Sequence, residues 1–194
     1  MPELPTGCEI TAMIMVLDYY GMDVDKVTMA TEYLPALSSF DQYYEEDGNL
    51  YGNDLYDFFI GDPTSVWGYV CGPGAIETAA NGFLEDAKSA WRAYDITGTD
   101  AEALYEYVSQ DRPIVVWGTI DMTDRGTAEG WYTSEGKYVD WSTRDHCAVL
   151  IGYSIDTITL ADPLAGEVVY DRDQFEMVFE AKSNQCVLLA EHGS

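Results

Sequence analysis

Residues 4 to 21 read Leu-Pro-Thr-Gly-Cys-Glu-Ile-Thr-Ala-Met-Ile-Met-Val-Leu-Asp-Tyr-Tyr-Gly. Thr6 followed three residues later by Glu9 has the form of a capping box, which predicts a helix starting at Gly7. Ile10, Met13, Ile14 and Leu17 recur at helical spacing and define an inward face, and Gly21 supplies the stop. Cys8 then lies in the first turn. There the helix dipole and free backbone N–H groups favour a thiolate and could hold an oxyanion, while Gly7 leaves room for a substrate backbone. The competing reading is that Cys8 is a small buried hydrophobe, as most free cysteines are.

A partner for that thiol is sought downstream, in the run His146-Cys-Ala-Val-Leu-Ile-Gly152. As a strand it places His146, Ala148 and Leu150 on one face and Cys147, Val149 and Ile151 on the other. Pairing outward from a turn near Ser154 and Ile155 brings position 162 or 163 opposite position 146, so Asp162 is expected beside His146. A carboxylate there would hold the imidazole tautomer and stabilise the imidazolium. A cysteine at a helix start, then His, then Asp on neighbouring strands is the chain order of papain-like thiol enzymes.

Outward from these two stretches the chain reads as helices first and strands later. A second helix is expected over 24–34, stopped by Pro35, and a third over 74–84. A fourth begins at Thr99, where Glu102 completes another capping box. Ile114 to Trp117 reads as a core strand, followed by strands over 146–152, 157–161 and 167–170, a helix over 172–180 and a last strand over 185–190. Residues 37–74 form a long acidic, aromatic loop with sparse regular structure, apart from short helical turns around Leu55 to Phe59. Residues 121–145 form a polar excursion with turn signals at Glu129-Gly130 and Glu135-Gly136-Lys137. Together these predict a single α+β domain over 1–194 with an N-terminal helical half and a C-terminal antiparallel sheet.

Nine Lys and Arg against thirty-five Asp and Glu give a formal charge of −26, which excludes nucleic acid and anionic lipid surfaces as partners and permits a cationic one. No apolar run reaches the roughly 18 residues of a membrane span, and no leader precedes Met1-Pro2. The expected location is extracellular or at the cell surface, with any leader outside this chain. Cys8, Cys71, Cys147 and Cys186 include no C-x-x-C pair, and two histidines do not complete a zinc site. Asp47, Asn49 and Gly52 approach a calcium-loop spacing, but Tyr51 and Phe58 stand where oxygen ligands are needed. No metal or cofactor is expected.

Four stretches resemble the stand-alone relatives of bacteriocin-processing, double-glycine cysteine peptidases. They are Leu4 to Ala12 through Tyr19-Tyr20-Gly21, Phe59 to Pro63 with Gly68 to Cys71, Pro113 to Trp117, and His146 to Tyr153 through Ala161-Asp162-Pro163. The resemblance implies a papain-like fold, Cys8 as nucleophile, His146 as general base and acid, Asp162 as the orienting group, and a peptide or protein substrate. The glutamine that such peptidases place a few residues before the cysteine is absent from residues 1–7, and no G-x-x-x-x-G-K-[ST] loop of an attached exporter occurs. The expected activity is hydrolysis of a peptide or isopeptide bond, with Gly7 and Trp141 beside the substrate. Acyl or amide transfer on the same triad, or a silent surface module binding a cationic partner, are the rivals.

Overall fold

The structure is a computed structural model that describes residues 3–192. Helix α1 (Cys8–Tyr19) leads to a short α2 (Lys26–Thr28), which runs on into a π turn over Met29–Tyr33. Strands β1 (Ala36–Leu37), β2 (Gln42–Tyr44), β3 (Leu50–Gly52) and β4 (Phe59–Ile60) precede α3 (Pro73–Asp86), β5 (Trp91–Asp95), α4 (Ala101–Val108) and β6 (Ile114–Thr119). A hairpin follows, β7 (Glu129–Tyr132) and β8 (Tyr138–Trp141). Then come β9 (Asp145–Tyr153), β10 (Thr157–Asp162), β11 (Gly166–Asp171), α5 (Arg172–Ala181) and β12 (Cys186–Glu191).

Six of the strands form one antiparallel sheet in the order β11-β10-β9-β6-β12-β5. Its alternation sorts side chains between two cores. Val115, Trp117, Cys147, Val149, Val187 and Leu189 pack with α1 and α3, whereas Ile114, Val116, Ala148, Leu150, Ile158 and Leu188 pack with α4 and α5. Helices on both faces explain why β6 is buried along its whole length. The mixed helix and sheet architecture has helix α1 laid on an antiparallel sheet, as the sequence predicts. The edge strand β5 was not anticipated: only Ala93 of its five residues is fully buried, so the pattern in sequence is weak.

Helix α1 is apolar nearly all round, with Cys8 to Ile14, Val16 and Leu17 buried, so a single inward face is too narrow a description. It ends as expected, with Gly21 at φ +75° and the Met22 N–H donating to the Leu17 carbonyl. Neither capping box forms. The N-cap of α1 is Gly7, and the Thr6 hydroxyl donates instead to the Ser65 carbonyl at 2.9 Å. The N-cap of α4 is Asp100, and Glu102 pairs with Arg172. In both cases a tertiary partner displaced a local one.

The two segments read as loops build a second sheet together, of order β2-β3-β7-β8, which corrects the expectation of sparse structure over 37–74 and 121–145. Tyr51 of β3 pairs with Tyr132 of β7 in parallel, and Leu55, Ile60, Trp131 and Val139 form its core. Glu129-Gly130 lies inside β7 rather than at a turn, while Gly136 does sit in a turn at φ +81°. A turn at 55–57 followed by β4 replaces the expected helical turns. No helix among the described residues is long and apolar enough to cross a membrane.

Candidate active site

Helix α1 opens at Cys8, and the sheet delivers β9 and β10 beside that opening. Cys8, His146, Trp141, Gly68, Tyr69 and Leu164 line one cleft of about 220 Å³. His146 Nε2 lies 3.0 Å from Asp162 Oδ2, and both side chains are buried. The other oxygen, Oδ1, accepts from the N–H groups of Leu164 and Ala165 at 2.7 and 3.2 Å. The Asp162-Pro163 turn therefore clamps the carboxylate by its own backbone. Burial alone would push Asp162 up, but the hydrogen bond and charge of His146 and the two backbone amides hold it below the ordinary carboxylate range.

The pairing arises differently from the sequence expectation. The β9–β10 register shifts between Thr159 and Leu160, and Ala161 pairs with Val149. Continued in that register, Asp162 falls opposite Ala148, two residues along from His146 and on the same face. The contact is diagonal rather than directly opposed, and a longer reach closes it.

Cys8 is also in a different state from the one expected. Burial, reinforced by the charge of Glu9, pushes the thiol well above its ordinary range, opposed by the backbone N–H groups of Cys147 and of Cys8 itself. The helix start does not favour the thiolate here, because burial first, and the carboxylate of the next residue second, outweigh the two amides. No hydrogen bond joins the Cys8 sulfur to the His146 ring among the described residues. With Nε2 engaged by Asp162, Nδ1 is the ring nitrogen left for the thiol. Such contacts commonly tighten only when substrate is bound.

The other expected site residues divide. Trp141 lines the cleft, its ring edge-on to Tyr69 with centroids 5.1 Å apart. Gly7 does not face it: a Cβ there would meet Leu4 Cβ at 3.1 Å and Ile10 Cγ2 at 3.3 Å, so its small size serves packing under the helix start. Trp131, from the same polar excursion as Trp141, lies away from the cleft, buried in the small sheet with Nε1 donating to the Asn53 carbonyl. Gly68 is the glycine at the cleft wall that space requires, since a Cβ would lie 2.2 Å from Thr6 Oγ1. The four cysteines are free and buried.

Two features were not read from sequence. The first is a buried network one residue before His146. Asp145 receives both Nε and Nη2 of Arg125 at 2.7 Å, Nζ of Lys182 at 3.0 Å and the Ser142 N–H at 3.1 Å. It anchors the start of β9, and nothing local in sequence connects Arg125, Asp145 and Lys182. The second is Glu9, 1% exposed, whose Oε2 has no partner. Burial pushes this carboxyl up to about 7, only partly offset by the amides of Glu9 and Cys71, the Cys8 thiol and the charge of His146.

The chain is similar to known proteins in sequence and in fold. The chain is 27% identical over 189 residues to the uncharacterized protein YvpB of Bacillus subtilis (strain 168), covering 97% of this chain and 70% of that one. It superposes with a TM-score of 0.81 and 28% identity on the crystal structure of a Bacillus anthracis protein provisionally described as a C39-like peptidase, covering 98% of this chain and 91% of that one. The family model described as "Peptidase_C39 like family" matches residues 1–187, and the chain belongs to that family.

Proposed function

We propose that this protein is a cysteine peptidase that hydrolyses a peptide or isopeptide bond through Cys8, His146 and Asp162. The observation that carries the reading is the buried His146–Asp162 pair at 3.0 Å on the wall of the cleft that Cys8 opens into. Family membership and the papain-like arrangement support it.

In this mechanism His146 Nδ1 takes the Cys8 proton as sulfur attacks the scissile carbonyl carbon. Asp162 holds the opposite nitrogen and stabilises the imidazolium. The developing oxyanion is met by backbone N–H groups at the start of α1. Collapse expels the amine, which takes its proton from His146 and leaves a thioester on Cys8. Water, deprotonated by His146, then releases the acid and restores the thiol. Because burial and Glu9 disfavour a resting thiolate, proton transfer accompanies attack rather than preceding it. Trp141 and Tyr69 flank the substrate chain.

The test is incubation with a diverse peptide pool read by mass spectrometry. Cleavage products are expected with the wild type and not with Cys8→Ser, and a thioester adduct on Cys8 is expected after rapid acid quench. Equal cleavage by the Cys8→Ser protein would sink the mechanism. A second reading, a silent binding module for a cationic partner presented by the acidic segment 37–74, is favoured by the neutral resting thiol. Absence of any turnover or adduct would move it ahead.

A further inference from the structure

A second cavity of about 170 Å³ adjoins the cleft, and Val70 and Asp145 line both. Its walls include Glu9, Cys71, Trp117, Tyr138 and Lys182. The charges around it pair off with one left over. Lys137 holds Asp54 at 3.0 Å, Lys182 holds Asp145 at 3.0 Å, and Arg125 bridges Asp145 and Asp140 at 2.7 Å each. Glu9 alone has no counter-ion, and its Oε2 has no hydrogen-bond partner although the residue is 1% exposed. Burying a carboxyl oxygen without a partner is costly, and such groups in native proteins call for an explanation.

We propose that this cavity receives an alkylammonium or guanidinium group with Glu9 as its counter-ion and that, resting on the peptidase reading, this group is the lysine or arginine side chain of a substrate residue next to the scissile bond. Glu9 follows Cys8 directly in the chain, so a side chain entering the cavity starts from a backbone lying across the nucleophile. Trp117 and Tyr138 offer aromatic walls to the alkyl stem and the cation. The cations already present are engaged elsewhere, Lys137 over the Tyr56 ring at 4.0 Å as well as on Asp54. Glu9 interacts with Cys8 on its own helix, the Cys71 amide and the charge of His146, and the other charged or titratable side chains around the cavity are Tyr56, Lys137, Tyr138, Asp140, Asp145 and Lys182. None supplies an unpaired permanent positive charge.

Binding can be tested without turnover, so its failure is separable from failure of the peptidase reading. n-Butylammonium and its neutral counterpart n-butanol are titrated into the Cys8→Ala protein by NMR at pH 8 and pH 5.5. Butylammonium is expected to bind at pH 8, at least tenfold more tightly than the alcohol and at least tenfold more tightly than at pH 5.5, where Glu9 is protonated. Glu9→Gln is expected to remove that preference. Equal affinity for the alcohol, undiminished binding in Glu9→Gln, or no binding at pH 8 would overturn the proposal. Should Glu9→Gln fold poorly, the Glu9 carboxyl resonance serves in its place: its titration midpoint must fall on saturation with butylammonium, and an unmoved midpoint overturns the assignment.

Discussion

Two buried carboxylates lie close to His146, one at each end of the site, and they are treated in opposite ways. At the turn after β10, Asp162 has one oxygen on the imidazole and the other on two backbone N–H groups, and it stays ionised. In the first turn of α1, Glu9 is more deeply buried, has an oxygen with no partner and is pushed up to about 7. Burial costs the charged form of both. What separates them is how deep each lies and whether donors reach both oxygens or leave one without a partner. A fully satisfied carboxylate can orient a base permanently, whereas an unsatisfied one changes charge near neutral pH and waits for a ligand.

The comparison breaks most visibly at the catalytic end. Cys8→Ser and His146→Ala should each lower kcat/KM by about 10⁵ or more, and Asp162→Asn by about 10⁴, because an amide neither holds the productive tautomer nor stabilises the imidazolium. Steady-state kinetics on one cleaved peptide orders the three. An Asp162→Asn protein as impaired as His146→Ala would make the carboxylate as essential as the base itself and contradict the supporting role given to it.

Next in size is the network that anchors β9. Lys182→Met removes one cation from Asp145 but leaves it on Arg125 and the Ser142 N–H, so no buried charge is stranded. Denaturant unfolding should show a loss of about 1.5–3 kcal/mol, the usual worth of one hydrogen bond to a charged group. A loss under about 1 kcal/mol would place the anchoring in Arg125 instead.

Glu9 gives an effect of opposite sign. Its folded pKa is raised, so between pH 4.5 and about 7 the folded state holds a proton that the unfolded chain has released, and stability falls through that window. At about 1.4 kcal/mol per pK unit, Glu9→Gln should be up to about 3 kcal/mol more stable than wild type at pH 8, relative to their difference at pH 4. Urea titrations of both proteins at the two pH values check this, and a pH-independent difference contradicts it. Asp162 behaves conversely. Its contribution is present above the ordinary carboxylate pKa and lost as pH falls below about 4.

The smallest effect is on the thiol itself. Above about pH 7 the Glu9 charge raises the Cys8 pKa, so Glu9→Gln should speed iodoacetamide alkylation of Cys8 several-fold at pH 8 and leave it nearly unchanged at pH 5.5. Peptide mass spectrometry resolves Cys8 from the other three cysteines. A faster rate at both pH values would show that packing, not charge, controls the thiol.

Apart from β5, the large sheet was legible because two-residue alternation survives in residues 146–152 and 157–161, with Ala148, Leu150, Ile158 and Leu160 in one core and Cys147 and Val149 in the other. The small sheet was not. Its strands are three or four residues long, many of its aromatic residues face solvent, and its β3–β7 pairing joins segments about eighty residues apart that carry no shared pattern. For the site, chain order and pleat brought out Cys8, His146 and Asp162. The Arg125–Asp145–Lys182 network gave no local signal, and Glu9 gave a misleading one.

By itself, then, the amino-acid order determined what depends on neighbours: the helix from Cys8 to the stop at Gly21, the face shared by His146 and Ala148, and the carboxylate held by its own Asp-Pro turn. Tertiary structure decided what depends on competition for partners. Thr6 and Glu102 left their capping positions for Ser65 and Arg172, a register shift moved Asp162 to a diagonal contact, and Glu9 was carried under cover with no donor for Oε2. A hydrogen-bonding group takes the best partner the folded chain supplies, and sequence spacing lists only the nearest ones.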